Sequence, residues 1–156
     1  MGKKRDQVRM SDTELWSFIE SQKTIQFASI GPDGAPHLVP LWFATLDGAI
    51  VLETFTKSQK VKNLERDARA TALFEDGDEY AKLRGASITG KVELVHDVER
   101  VHELHMMVLL RNTPEIPRDV LEKATKSMAH KKTAMLLRPA DCRVASWDHS
   151  KLGGSY

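Results

Sequence analysis

The stretch "TFTKSQKVKNLERDARA", Thr54–Ala70, decides how this chain is read. It opens as the end of an apolar run, "AIVLETF", and turns polar after Thr56. A strand that stops there and a helix that starts there put Lys57, Lys60 and Lys62 in the first helical turns. A helix N-terminus already carries unpaired N–H groups and a partial positive charge. Lysines at that end are disfavoured by roughly 0.3–1 kcal/mol each, unless an anion joins them. From Lys57 to Arg69 five cations (Lys57, Lys60, Lys62, Arg66, Arg69) stand against two anions (Glu65, Asp67). A solvated basic face is the plain alternative. Placement against the helix dipole favours a site for an anion such as phosphate.

Outward from that stretch, the chain reads as strands first. "TIQFASIGPDGAPHLVPLWFATLDGAIVLETF" holds β-rich runs separated by Pro32-Asp33-Gly34 and Asp47-Gly48, which are turn signals of a meander. Pro36 and Pro40 cannot donate ladder hydrogen bonds, so "PHLVPLWF" is expected at an edge or a bulge. "RATALFED" is a further strand. "YAKLRGASITGKVELV" is a long one with Gly85 and Gly90 as bend points, which suits a coiled sheet. Before the strands, "SDTELWSFIES" carries Ser11 and Glu14 in capping-box spacing and predicts a helix over 11–21. After them, "DVERVHELHMMVLLRN" shows a stripe of Val98, Val101, Leu104 and Val108, and "IPRDVLEKATKSMAH" starts a second helix near Pro117. "TAMLLRPADCRVASWD" reads as two short strands broken at Pro139. The tally is about six sequential strands with short helices around them. This is an α+β, mainly β layout: a six-stranded antiparallel barrel with peripheral helices. One domain is expected over 11–149, between a flexible N-terminal tail, 1–10, and a polar C-terminal tail, 150–156.

Composition narrows the function. The 156 residues are 41% hydrophobic and 29% charged, with a formal net charge of +1. That lacks the global basic field of a nucleic-acid binder, and the chain lacks basic–aromatic interleaving. No run is long and apolar enough to span a bilayer, and "MGKKRDQVRM" has no apolar segment behind it to act as a signal peptide. With Cys142 as the single cysteine, no internal disulfide forms, which fits a cytoplasmic setting.

Residues able to do chemistry are few. His102 and His105 in "HELH" are spaced i, i+3 rather than the i, i+4 of a zinc-protease helix, so no metal site is expected and packing is the simpler role. "EDGDEY" with Asp76, Asp78 and Glu79 lacks the ligand spacing of a calcium loop. Cys142 has no partner pattern for nucleophilic catalysis, and no phosphate-binding glycine motif or serine-nucleophile motif is present. An anion site without an acid, base, nucleophile or metal set implies that any chemistry is brought by a cofactor, and no catalytic residue can be named.

The order of "PDGAPHLVPLWF", "LDGAIVLETFTKSQKVKNLERDARATALFED" and "YAKLRGASITGKVELV" resembles the pyridoxamine 5′-phosphate oxidase-like split β-barrel proteins, and more narrowly their flavin- and deazaflavin-dependent oxidoreductase branch. The likeness runs from about Ser11 to Asp148. Its most specific part is K-x-x-N-L-x-x-D-x-R-A, from Lys60 to Ala70, and "ASWDHSKLGG" is similar to the same branch. The resemblance implies a homodimer of split barrels with a cofactor, FMN or coenzyme F420, at the subunit interface. The backbone around Val39, Pro40, Leu41 and Trp42 would border the ring, and Thr54, Phe55 and Thr56 would line it from the next strand. Lys57, Ser58 and Lys60 would hold the phosphate, with Tyr80 and Trp147 closing the site from the partner. "SWDHSKLGGSY" departs from the Arg-bearing substrate motif of the vitamin B6 oxidases, so a different small unsaturated or quinone-like substrate is implied. His37 or Tyr80 would be the available proton donors. The alternative is a flavin or haem carrier without turnover, in which His96, His102 or His105 would serve as axial ligands.

Overall fold

The computed structural model describes residues 4–153. Its elements run α1 (Lys4–Val8), α2 (Asp12–Ser21), β1 (Thr24–Ile30), β2 (Pro36–Trp42), β3 (Ala44–Leu46), β4 (Ala49–Phe55), α3 (Gln59–Arg66), β5 (Arg69–Asp76), β6 (Arg84–Lys91), β7 (Glu93–Val95), α4 (Val98–Asn112), α5 (Arg118–Met128), β8 (Lys132–Leu137) and β9 (Arg143–Asp148). Short 3₁₀ turns occupy Tyr80–Lys82, Ala129–Lys131, Pro139–Asp141 and His149–Leu152.

The strands form two antiparallel sheets, ordered β2-β1-β5-β6-β9 and β3-β4-β8-β7. This corrects the expected six-stranded barrel: the described residues form nine strands, and their ladders make two sheets rather than one closed ring. The physical reason is that single long runs change sheets part-way. "PHLVPLWFATL" leaves the first sheet at Phe43, which is fully buried, and enters the second as β3. "RGASITGKVELV" crosses at buried Val92, so β6 and β7 belong to different sheets. The break at Pro139 separates β8 from β9 in the same way.

Local chemistry explains the turns and edges. Asp47 and Gly48 both have positive φ, 48° and 74°, the backbone a tight two-residue hairpin demands. β2 lies at the edge of its sheet, where Pro36 and Pro40 leave no central ladder bond unmade. Gly85 and Gly90, expected as bends, instead provide clearance within a continuous ladder. Gly85 is the register partner of Trp147, and a Cβ on it would collide with the indole. Gly90 makes the same room for the Cys142 thiol.

The main core lies between the sheets and contains Ile25, Phe27, Phe43, Ile50, Leu52, Phe74, Ile88, Met135 and Leu137. A second core forms where Val101, Leu104 and Val108 of α4 cover Val51, Ala134 and Leu136 on the outer face of the smaller sheet. Val98, placed on the same stripe, is 46% exposed at the start of the helix. α4 is tied down at its other end: Asn112 donates to Phe43 O (3.0 Å), and Arg111 donates to Gln22 O (2.7 Å) with its guanidinium 4.1 Å from the Phe43 ring.

The N-terminal segment differs from the tail expected over 1–10. Residues 4–8 are helical, and Val8 and Met10 are buried. Met10 N donates to Ser146 Oγ (3.2 Å), while Lys151 Nζ donates to Arg9 O (2.8 Å) and to Glu14 Oε2 (2.6 Å). The 3₁₀ turn from His149 to Leu152 thus clasps the start of the chain, so part of the expected C-terminal tail is structured too. Residues 1–3 and 154–156 lie outside the described residues. Ser11 and Glu14 form the capping box that starts α2.

Two outcomes test this packing. Gly85→Ala is expected to lower stability by about 1–3 kcal/mol through overpacking against Trp147, and Trp147→Ala should remove most of that cost. Thermal unfolding of both single variants and the double variant checks it. Glu14 is held at about 2 by the Lys151 ammonium and by hydrogen bonds from Ser11. A depressed carboxylate stabilises the fold above its ordinary value and loses that contribution as pH falls toward its folded value. The Tm advantage of wild type over Glu14→Gln should therefore be present at about pH 6 and vanish near pH 2.

Candidate functional site

β4 carries the site because it is covered on both faces. Ile50, Leu52 and Thr54 point toward the space between the sheets, and Val51, Glu53 and Phe55 point the other way. At its end the chain turns into α3, whose N-cap residue Ser58 gives no side-chain cap to the helix.

On the Thr54 side, Lys60 reaches back from the first turn of α3 and donates to Thr54 Oγ1 (2.9 Å), and the Thr54 hydroxyl lies 3.4 Å from Ser58 Oγ. Lys60 is half-buried. Burial lowers its pKa, the Lys132 ammonium works in the same direction, and the Glu53 carboxylate opposes both. Lys57 and Lys62, by contrast, are exposed. Of the three lysines that drew notice in the sequence, only Lys60 is partly withdrawn from water. Thr56 shares a hydroxyl contact with Thr133 (2.9 Å), whose Oγ1 is 3.3 Å from His96 Nδ1. α3 itself is anchored beneath by Asn63, fully buried, which donates to Ser29 Oγ (3.0 Å).

On the opposite face lies a cluster that the sequence reading did not find. Lys132 Nζ sits 2.8 Å from Glu53 Oε2, and His105 Nε2 is 3.6 Å from Glu53 Oε1. The Lys132 ammonium also lies 4.1 Å from the centre of the Phe55 ring. His105 is 6% exposed, and burial pushes its pKa down and favours the neutral imidazole, against the pull of Glu53. One signal was available: Glu53 is the only charge in "AIVLETF". Its partner Lys132 is far away in sequence and is delivered by the β4–β8 register, Phe55 opposite Lys132.

Pro40, Leu41 and Trp42 meet Thr24 and Glu53 around one open hollow at the β2 edge. Val39 is half-buried on β2, and Phe55 is 51% exposed at the end of β4. Tyr80 and Trp147 are not brought to this group within one chain: Trp147 is on β9, at the sheet edge opposite β2, and the Tyr80 ring packs 4.6 Å from that of His149. His37 Nδ1 is buried without a hydrogen-bond partner. Among the described residues, no group of three or more His, Cys, Asp or Glu side chains is arranged to hold a metal, and no helix is long and apolar enough to cross a membrane.

The family model described as pyridoxamine 5′-phosphate oxidase matches residues 11–145. A conserved hypothetical protein, Rv2991 from Mycobacterium tuberculosis, is 41% identical with a TM-score of 0.88, over 99% of this chain and 95% of that one. An F420 reductase superposes with a TM-score of 0.62 at 20% identity, over 78% of this chain and 90% of its own. An FAD and haem binding protein from Mycobacterium smegmatis gives 0.72 at 16% identity, over 96% and 81%. The last two likenesses concern the fold alone. Among curated proteins, none matches. The matched span contains both sheets' principal strands, α3 with its Lys60–Thr54 contact, and the α4 face, so the chain belongs to the pyridoxamine 5′-phosphate oxidase family.

Proposed function

We propose that the protein is an oxidoreductase that holds a flavin-type cofactor, FMN or the deazaflavin F420, in a homodimer and serves hydride transfer with a small unsaturated or quinone-like molecule. The observation that carries this reading is Lys60: half-buried, bonded to Thr54 and set at an uncapped helix start. Burial lowers its pKa against the opposing pull of Glu53, and a phosphate ester beside the ammonium would favour its charged form. The donor set fits such an ester, with the Lys60 ammonium, the Ser58 and Thr54 hydroxyls and the free N–H groups of α3 all near one place.

When bound, the cofactor ring supplies the hydride chemistry. The chain's own part is to bind and orient. Lys60 and Ser58 would fix the phosphate end, with Lys57 as a solvent-side cation beside them. The backbone of Thr54, Phe55 and Thr56 would lie along the ring, since the Thr54 and Phe55 side chains face opposite ways, and the backbone around Val39, Pro40, Leu41 and Trp42 would border it and exclude water. A partner chain would bring Tyr80 and Trp147, which a single chain leaves at the far edge of the sheet. The family membership and the F420 reductase likeness support the reading. The FAD and haem binding neighbour supports the second one, a carrier that binds without turnover. His105 is spoken for by Glu53 in this chain, so a flavin carrier is the better form of that alternative.

Native mass spectrometry of protein made in a host with both cofactors tests cofactor identity and subunit count together. The expected result is a dimer holding FMN or F420. A chain that retains neither and gains no thermal stability from either at saturation overturns the proposal. Binding without reduction by any donor selects the carrier role. Lys60→Ala is expected to weaken cofactor affinity by about 1.5–3 kcal/mol, and calorimetric titration that finds wild-type affinity refutes the phosphate assignment.

A further inference from the structure

A concave site lies at the other end of β4 from Thr54 and Phe55. It is a cavity of about 230 Å³ beside Gly48, where the β3–β4 hairpin enters the strand. A strand rises about 3.3 Å per residue, so the two ends of β4 stand roughly 20 Å apart. The floor of the cavity is apolar: Leu15 and Trp16 from α2, Val144 from β9, and Pro139 from the turn between β8 and β9. Leu15 and Pro139 are buried, and Trp16 is half-buried. Three polar side chains, Arg9, Asp12 and Ser146, complete the lining. The clasp at the chain ends fixes this edge, because Lys151 donates to Arg9 O and Met10 N donates to Ser146 Oγ. Those contacts use only the Arg9 carbonyl and one lone pair of Ser146. The Arg9 guanidinium, the Asp12 carboxylate and the Ser146 hydroxyl proton have no partner among the described residues.

We propose that this cavity binds a free α-amino acid with an apolar side chain, and that Arg9 and Asp12 read its two charges. Drug-sized ligands fill pockets of roughly 300–1,000 Å³, so a smaller cavity calls for a smaller occupant. The apolar floor takes the side chain, which gains by leaving water. The Arg9 guanidinium offers its planar fork to a carboxylate, and the uncommitted Ser146 proton is a second donor for the same group. Asp12 accepts from the ammonium. Opposite charges on one rim also discriminate. An acid without an ammonium brings its charge to Asp12 uncompensated, and an amine without a carboxylate does the same at Arg9. Arg9 and Asp12 are three residues apart and form no ion pair with each other, so both stay available to a ligand. An α-amino acid carries both charges and its apolar body on a single carbon. No residue of this cavity belongs to the Lys60 region or to the hollow at the β2 edge, so the site stands apart from the oxidoreductase reading.

Three probes with one carbon skeleton test it: L-leucine, 4-methylpentanoate, which lacks the ammonium, and 3-methylbutylamine, which lacks the carboxylate. Each is titrated at neutral pH into the full-length protein while NMR follows the indole N–H signal of Trp16, assigned through Trp16→Phe. L-leucine is expected to move that signal and to bind about fivefold tighter than either half-ligand, the upper end for a partly exposed ion pair. Arg9→Gln and Asp12→Asn should each weaken L-leucine by about fivefold, the first sparing 3-methylbutylamine and the second sparing 4-methylpentanoate. Ala140→Phe fills the cavity from an exposed lining position and should abolish binding of all three. Equal affinity for the three probes, a Trp16 signal that none of them moves, or L-leucine binding that survives in Ala140→Phe overturns the proposal. Thermal unfolding is recorded for every variant, and should Ala140→Phe not fold, the wild-type probe comparison still decides. FMN and F420 titrations run in parallel separate the two readings. Displacement of L-leucine by either cofactor assigns the cavity to the cofactor and overturns the amino-acid site. L-leucine binding by a chain that retains neither cofactor sinks the oxidoreductase alone.

Discussion

Burial of β4 on both faces is the constraint from which the rest follows. One face closes the main core through Ile50 and Leu52, and the other seats α4 through Val51. A strand alternates its side chains strictly, so a buried strand cannot place two consecutive residues in one environment. Where the apolar run ends, that rule sends Thr54 toward α3 and Glu53 toward α4. The two polar groups are neighbours in sequence and yet serve opposite sides of the same sheet.

The electrostatics of the region reflect this split. Lys60 on one side senses Glu53 and Lys132 on the other, so the two half-sites are coupled through the sheet's end rather than through a hydrogen bond. The balance is of one carboxylate, two ammonium groups and an imidazole that burial disposes to stay neutral. That leaves a local excess of positive charge in a molecule whose formal net charge is only +1. Nothing in the overall composition announces it, because the charges concerned are a small fraction of those in the chain.

Much of the scaffold was legible before any coordinates. The Ser11–Glu14 capping box, the Asp47-Gly48 hairpin, the edge position of the proline-bearing strand and the helices over 98–112 and 118–128 all follow from short-range chemistry, and the structure shows them. The strand count was not legible. Phe43 and Val92 look like interior residues of continuous β runs, and no local signal tells an uninterrupted strand from one that bends into a second sheet. The glycines misled for a related reason: a glycine that makes room for Trp147 and one that bends a strand have the same spelling. The helical start of the chain was missed because its burial depends on Ser146 and Lys151, both at the far end of the sequence.

What the sequence alone determined, then, is whatever depends on residues within a few positions of one another: the alternation of β4, the turn conformations, and the three lysines around the start of α3. Only tertiary structure separated those lysines, drawing Lys60 inward to Thr54 while Lys57 and Lys62 stayed in water. It alone paired Glu53 with Lys132 and His105 and set Glu53 on the hollow beside Trp42. The physical reason is that desolvation and charge pairing depend on what approaches through space. The β4–β8 register and the docking of α4 settle that approach, and neither is encoded in any single stretch of chain.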